Sequence, residues 1–359
     1  MATSNKLPAW TVWSPLAAWA AFGVGLMLPG QGWLVAIMAA ALAGAVFSAV
    51  HHAEVVAHKV GEPFGTLVLA IAVTVIEVAL IVSVMLSAGP EKAGLARDTV
   101  FAAVMIICNG IVGVCLFVGG LHHREQEFQA PGAKAAMAVL VALLVLTMVL
   151  PNFTSSTPGP MLTSSQLAFS GLMSLVLYGC FVFVQTVRHR DYFLVESSDE
   201  NEHAPPPPGR VAAASGVLLV VCLVAVVALA KMLSPSVEAA VAAAGLPPAV
   251  VGVVIAALVL LPEGLAALRA ARLDRLQTSM NLALGSALAS IGLTIPTVAV
   301  VFIALGRPLE LGLGAKEMVL LFLTVIVASL TLGSGRTTIL QGVVHLVIFA
   351  AYLFLTIVP

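Results

Sequence analysis

The chain has 359 residues, 60% of them hydrophobic and only 9% charged, with a mean hydropathy of +1.10 and a net charge of −1. A soluble domain carries about a quarter charged residues, so an ordinary soluble enzyme is excluded. The 16 basic residues are scattered, which excludes a nucleic-acid binder, and the apolar content excludes disorder. Continuous apolar runs of about twenty residues mark an all-α polytopic membrane protein rather than an outer-membrane barrel.

Eleven transmembrane helices are expected, with cores near 14–28, 33–50, 64–87, 99–120, 135–151, 166–187, 211–231, 249–267, 278–304, 316–332 and 338–357. Turn chemistry separates them at Pro29-Gly30-Gln31-Gly32, at Gly61-Glu62-Pro63, at Ser87-Ala88-Gly89-Pro90, and from Pro151 to Pro160. The opening MATSNKLPAW has one Lys and no small-residue cleavage site, so it reads as a retained segment rather than a cleavable signal. The basic residues test the count. With eleven spans one side receives Lys6, Lys59, Arg124, Lys134, Arg188, Arg190, Arg210, Arg269, Arg272, Arg275 and Arg336. The other receives Lys92, Arg97, Lys231, Arg307 and Lys316. The positive-inside rule then places the N-terminus in the cytoplasm and the C-terminus outside.

The longest hydrophilic stretch, residues 188–210, carries Glu196, Asp199, Glu200 and Glu202 and a Pro205–Pro208 run. It reads as an acidic, solvated cytoplasmic linker with a short polyproline II segment. Cys108, Cys115, Cys180 and Cys222 fall inside apolar runs without CxxC spacing and read as small buried hydrophobes.

Setting the first helix aside (residues 1–31) leaves five on each side of the linker, residues 32–187 and 211–359. Five is odd, so a second five-helix copy must enter the bilayer upside down. That is the inverted-repeat plan of many secondary transporters, whose sites lie near the midplane. The second helix of each half carries one carboxylate, Glu77 in TLVLAIAVTVIEVALIVSV and Glu263 in VGVVIAALVLLPEGLAAL. The third helix of each half carries small polar residues, Asn109 in the first, Ser286 and Ser290 in the second.

Glu77 is thirteen residues into its helix, roughly 20 Å along it and near the middle of a core about 30 Å thick. Glu263 is fourteen residues after Ala249. An acidic residue at that depth costs about 2.5–3.5 kcal/mol. No Lys or Arg lies within a helix core to pair with either, so protons or bound cations are the available partners. Two ionised carboxylates sum to −2, which two protons or one divalent cation cancel. A protonated carboxyl is a poor cation ligand, so a site that reorients only when neutralised exchanges one load for the other. Oxygen donors suit a hard cation. Thr74, one turn before Glu77, joins Asn109, Ser286 and Ser290 as supporting donors. Pro262 withholds a backbone donor and frees a carbonyl one turn back, which a cation can satisfy.

At these residues the chain resembles the calcium/cation antiporter superfamily, and within it the bacterial ChaA-type calcium/proton antiporters. LLPEGLAALRAARLDRLQTSMNLALGSALASIGLTIP is similar to the family's second repeat motif. GEPFGTLVLAIAVTVIEVAL with ARDTVFAAVMIICNGIVG is similar to the first. The resemblance implies exchange of a cation, calcium foremost, against protons across a bacterial inner membrane. It implies Glu77 and Glu263 as shared carriers, with no cofactor. The chain departs from the Gly-Asn-x-x-Glu pattern, having VTVIE at 73–77 and LLPE at 260–263, and has Val104-Met105 where Gly-Ser is common. Fewer oxygen donors keep sodium or potassium as alternatives.

His51, Glu54 and His58 fall at i, i+3 and i+7 on one helix face and form a candidate cytoplasmic mouth for protons or cations. The same trio keeps an intramembrane zinc enzyme as a rival, although the order is not HExxH. His122, His123 and His345 read as structural. A cation channel on the same scaffold is a further rival. With no GxxxxGK[ST] present, no nucleotide is expected as a partner. The expected partners are lipid, inorganic cations and protons.

Overall fold

The computed structural model describes residues 7–28, 31–61, 64–88, 93–194 and 206–358. The turns read at Pro29-Gly30, Glu62-Pro63 and Gly89-Pro90, and the acidic residues of the linker, lie outside the described residues. Among those described there are eleven continuous helices: α1 Ala9–Met27, α2 Gly32–Val60, α3 Phe64–Ala88, α4 Leu95–His123, α5 Ala130–Phe153, α6 Ser164–Arg188, α7 Gly209–Ala243, α8 Ala249–Arg272, α9 Leu276–Ala304, α10 Ala315–Gly333 and α11 Ile339–Ile357. Two short strands, β1 Glu125–Glu127 and β2 Arg336–Thr338, complete the set. Nine of the described helices are long and apolar enough to cross a membrane, and α3 contains a shorter apolar stretch, Ala70–Met85.

The helices run longer than their apolar cores in two places. α2 continues past residue 50 to Val60, carrying His51, Glu54 and His58 on its last turns. α7 continues past Lys231 and through Pro235 to Ala243. Polar residues interrupt hydropathy, but helical hydrogen bonding does not require apolar side chains. One expectation about the cysteines is corrected: Cys108, Cys115 and Cys222 are buried, whereas Cys180 is exposed, on α6, which turns large apolar residues outward there.

The helices form two compact units. The first holds α1, α2, α3 through Val84, and α7. In it, α1 packs antiparallel to α2, with Gly25 beside Met38 and Ser14 beside Gly44. Pro15 lies inside α1 and has no N–H for the carbonyl of Thr11, one turn back. Two donors of α2 take that carbonyl: Ser48 Oγ at 2.8 Å and His52 Nε2 at 3.1 Å. Because a carbonyl only accepts, His52 carries its proton on Nε2. The Cys222 thiol of α7 reaches Ser48 Oγ at 3.5 Å. A backbone defect is thus repaired entirely inside the protein, as an apolar surround demands.

The second unit holds α4–α6 and α8–α11. Close approaches fix the directions of its helices. Gly252 and Gly264 of α8 abut Asp98–Thr99 and Ile111 of α4, so these two helices run parallel. Gly113 faces His345, and Gly342 faces the Phe117 backbone, so α4 and α11 run antiparallel. Gly171 meets Pro296, and Tyr178 meets Gly292, so α6 and α9 run antiparallel. Each direction is the one required if every helix crosses once.

Inside this unit the two halves of the chain exchange roles. The fifth helix of the first half, α6, packs on the third helix of the second, α9; the fifth helix of the second half, α11, packs on the third of the first, α4. Thr163 with Gln166 caps α6 and Thr338 with Gln341 caps α11, both as capping boxes. β1, which follows the first half's third helix, pairs antiparallel with β2, which precedes the second half's fifth. At the other end Met161, before α6, pairs antiparallel with Glu310, after α9. Swapping the halves converts one pairing into the other.

Candidate cation site

Glu77 lies mid-helix on α3 and is 3% exposed, with Thr74 one turn earlier and also buried. The Thr74 hydroxyl is enclosed without a hydrogen-bond partner. In the second unit Glu263 lies on α8 after Pro262, half-buried, with its Oε2 enclosed. The neighbouring Gly264 brings α8 against Ile111 of α4; a Cβ there would stand 3.2 Å from Cδ1 of that side chain. Ile111 is two residues along α4 from Asn109. Ser290 is buried on α9, and the Ser286 hydroxyl, one turn earlier, is enclosed without a hydrogen-bond partner. The second unit thus gathers the helices bearing Glu263, Ser286, Ser290 and Asn109, while Glu77 and Thr74 share α3 in the first.

Asn109 occupies a π-helical turn, Ile106–Ile111, in the middle of α4. Such turns insert one extra residue into the helix and recur at functional sites. Its side chain is 0% exposed and is held at both ends. Nδ2 donates to Thr324 Oγ1 of α10 at 2.9 Å, and Oδ1 stands 3.2 Å from His345 Nδ1 of α11. One lone pair of Oδ1 remains after that bond.

On α2, His51 is half-buried against the Trp10 ring, with centroids 5.5 Å apart, while Glu54 and His58 are exposed. Among the described residues, no group of three His, Cys, Asp or Glu side chains converges to hold a metal. The trio on α2 therefore gives the zinc-enzyme rival no ligand set. Two histidines are fully buried: His52, which sequence reasoning passed over, and His345, which it read as structural. The signal for the first was present: Pro15 in an apolar helix leaves a carbonyl that needs a donor from a neighbour.

The sodium/calcium exchanger protein family matches residues 31–187 and 214–358. The chain belongs to that family. Its members are secondary transporters, so the chain is a transporter rather than an enzyme. A candidate ionic transporter of Sinorhizobium fredii, y4hA, is 51% identical over 99% of this chain and 98% of its own. The sodium-potassium/proton antiporter ChaA of Escherichia coli is 36% identical over 89% of this chain and 88% of its own. Among solved structures, native YfkE superposes with a TM-score of 0.76 at 16% identity, covering 98% of this chain and 100% of that one. The H+/Ca2+ exchanger CAX gives 0.69 at 15% identity, covering 96% and 89%. These two share the fold. Family membership makes the chain a cation exchanger, and the composition and helix count agree with a multi-pass membrane protein.

Proposed function

We propose that this exchanger moves calcium against protons by alternating access, with Glu77 and Glu263 carrying either load in turn. The observation that carries the reading is Glu77, a carboxylate 3% exposed in the middle of an apolar helix. Such a charge is retained at a cost only where a counter-load neutralises it. Charge balance favours calcium, since one divalent ion replaces two protons on two carboxylates. Thr74, Ser286, Ser290 and the spare lone pair of Asn109 supply further oxygen donors. The two five-helix halves, residues 32–187 and 211–359, form the inverted repeats that alternate exposure of the site. His51, Glu54 and His58 line its cytoplasmic approach, in a bacterial inner membrane with the N-terminus inside.

A second reading, sodium or potassium against protons, is favoured by a specific observation: the 36%-identical relative is named for those ions. Purified protein in liposomes with an imposed pH gradient separates the two. Calcium uptake coupled to proton release is expected. Uptake of sodium or potassium alone would replace the first reading with the second. Current without proton countermovement would remove both and leave a channel.

A further inference from the structure

The second unit contains a buried hydrogen-bond chain that the exchange reading does not use. It crosses three helices: Thr331 and Thr324 on α10, His345 on α11, and Asn109 in the π turn of α4. His345 is 0% exposed, and both its ring nitrogens have partners, Asn109 Oδ1 and Thr331 Oγ1, each at 3.2 Å. The sense of the chain follows from its far end. Met105 Sδ lies 3.8 Å from Asn109 Nδ2 and 3.5 Å from Thr324 Oγ1, accepting from both. A flipped amide would turn its oxygen toward that sulfur, acceptor against acceptor. The amide nitrogen therefore faces Thr324 and Met105, and the oxygen faces the ring. An amide oxygen only accepts, so His345 carries a proton on Nδ1. Nε2 of the neutral ring then accepts a hydrogen bond from the Thr331 hydroxyl.

Burial argues for that neutral form. Gly110 and Gly113 let α11 approach until Phe349 and His345 touch the α4 surface. The groups that hydrogen-bond the ring are all neutral: the Asn109 carboxamide, the Thr331 hydroxyl and the Cys108 backbone. An imidazolium there would have no counter-charge among these partners, and neutral groups satisfy the ring as it stands.

We infer that His345 is a positioning residue of the exchanger: its Nδ1–H, oriented by Thr331, fixes the Asn109 carboxamide in the π turn and so sets which oxygen the turn offers to the cation. The inference rests on the reading of Asn109 as a supporting cation donor. Thr324 and Met105 hold the same amide from the other side. Without the ring, the amide keeps the bonds its nitrogen donates and loses the one its oxygen accepts.

The test is a double-mutant cycle in the full-length protein, reading half-saturating cation concentration in liposomes and cation-dependent thermal stability in detergent. His345→Ala and Asn109→Ala should each raise the half-saturating concentration about tenfold. The double variant should raise it no further than either alone. His345→Asn, whose amide N–H takes the place of Nδ1–H, should return it to within about threefold. Half-saturation unchanged in His345→Ala, or effects that multiply in the double variant, would overturn the inference. If His345→Ala does not accumulate folded, Thr331→Val, which keeps the ring but removes its orienting partner, must shift half-saturation in the same direction. No shift there overturns it equally. Glu263→Gln, assayed alongside, tests the exchange reading separately. If the wild type exchanges none of the ions, that reading fails, while cation affinity in detergent still decides the coupling of His345 to Asn109.

Discussion

The two glutamates differ in setting, and that difference shapes what their substitution should do. Glu77 is nearly inaccessible, and Glu263 is half-buried beside a proline. Glutamine keeps the shape and removes both the charge and the titrating proton. Glu77→Gln and Glu263→Gln should each abolish proton-coupled exchange, below about one percent of wild type, since a step worth several kcal/mol of charge balance disappears. Both variants should still insert and accumulate, because a neutral amide is cheaper to bury than a carboxylate. Near-normal exchange in vesicles carrying both substitutions would remove the mechanism. The pH dependence has a definite sign. Protons and cation compete for the same oxygens, so acidifying the loading side should raise the half-saturating cation concentration without lowering the maximal rate. A maximal rate that falls while half-saturation stays fixed would place the protons elsewhere. The glutamates were legible in sequence because a carboxylate in an apolar run is conspicuous. His345 was not, because a lone histidine near the end of a chain looks the same whether it caps a helix or sits inside a four-residue network. Its partners Asn109 and Thr331, and Thr324 beyond them, come from two other helices, and nothing local links them.

At the level of helices, hydropathy and turn residues were enough to count eleven, since both are local properties. The π turn at Ile106–Ile111 was not legible: a shift in hydrogen-bond register leaves no mark in composition. The histidine spacing already placed the polar end of α2 on a helix, but the extension of α7 was missed, because Lys231 and Pro235 ended the apolar run and not the helix. Proline repair makes a quantitative case. Ser48 and His52 together serve the Thr11 carbonyl that Pro15 leaves open. Replacing both by Ala should destabilise the protein by about 1–3 kcal/mol, the cost of an unsatisfied buried carbonyl. In a Pro15→Ala background the same double replacement should cost much less, since α1 then supplies its own N–H. Equal losses in the two backgrounds, measured by thermal unfolding in detergent, would show that the bonds serve some other end. A parallel contrast separates two glycines. A Cβ on Gly342 would meet the Phe117 backbone nitrogen, whereas one on Gly216 of α7 would meet nothing within 4 Å. Gly342→Ala should cost about 1–3 kcal/mol by forcing α11 off α4. Gly216→Ala should be neutral or stabilise by up to about 1 kcal/mol.

For the molecule as a whole, basic-residue asymmetry gave a sidedness that can be checked chemically. Glu127 and Arg336 form an ion pair at 2.8 Å beside β1 and β2, at the end assigned to the cytoplasm. Met161 and Glu310 pair at the opposite end. In a background with Cys180→Ser, cysteines at Glu127 and Met161 should react with an impermeant thiol reagent from opposite faces of the membrane. Labelling of both from one side would break the span count. The repeat itself was visible only as parity and matched carboxylates. The exchanged partners of α6 and α11 involve contacts far apart in the chain, which no local pattern carries.

That exchange has a consequence for biosynthesis. Glu127 and its register partner Arg336 are 209 positions apart, so β1 leaves the ribosome with its pairing edge bare. It stays bare until all but the last helix has been translated. A truncated chain lacking α11 would keep β2 but lose the cover over the π turn and the imidazole together. The helix that covers the π turn is therefore made long after the turn itself, and quality-control proteases should find a nascent product stopped short of α11 incomplete.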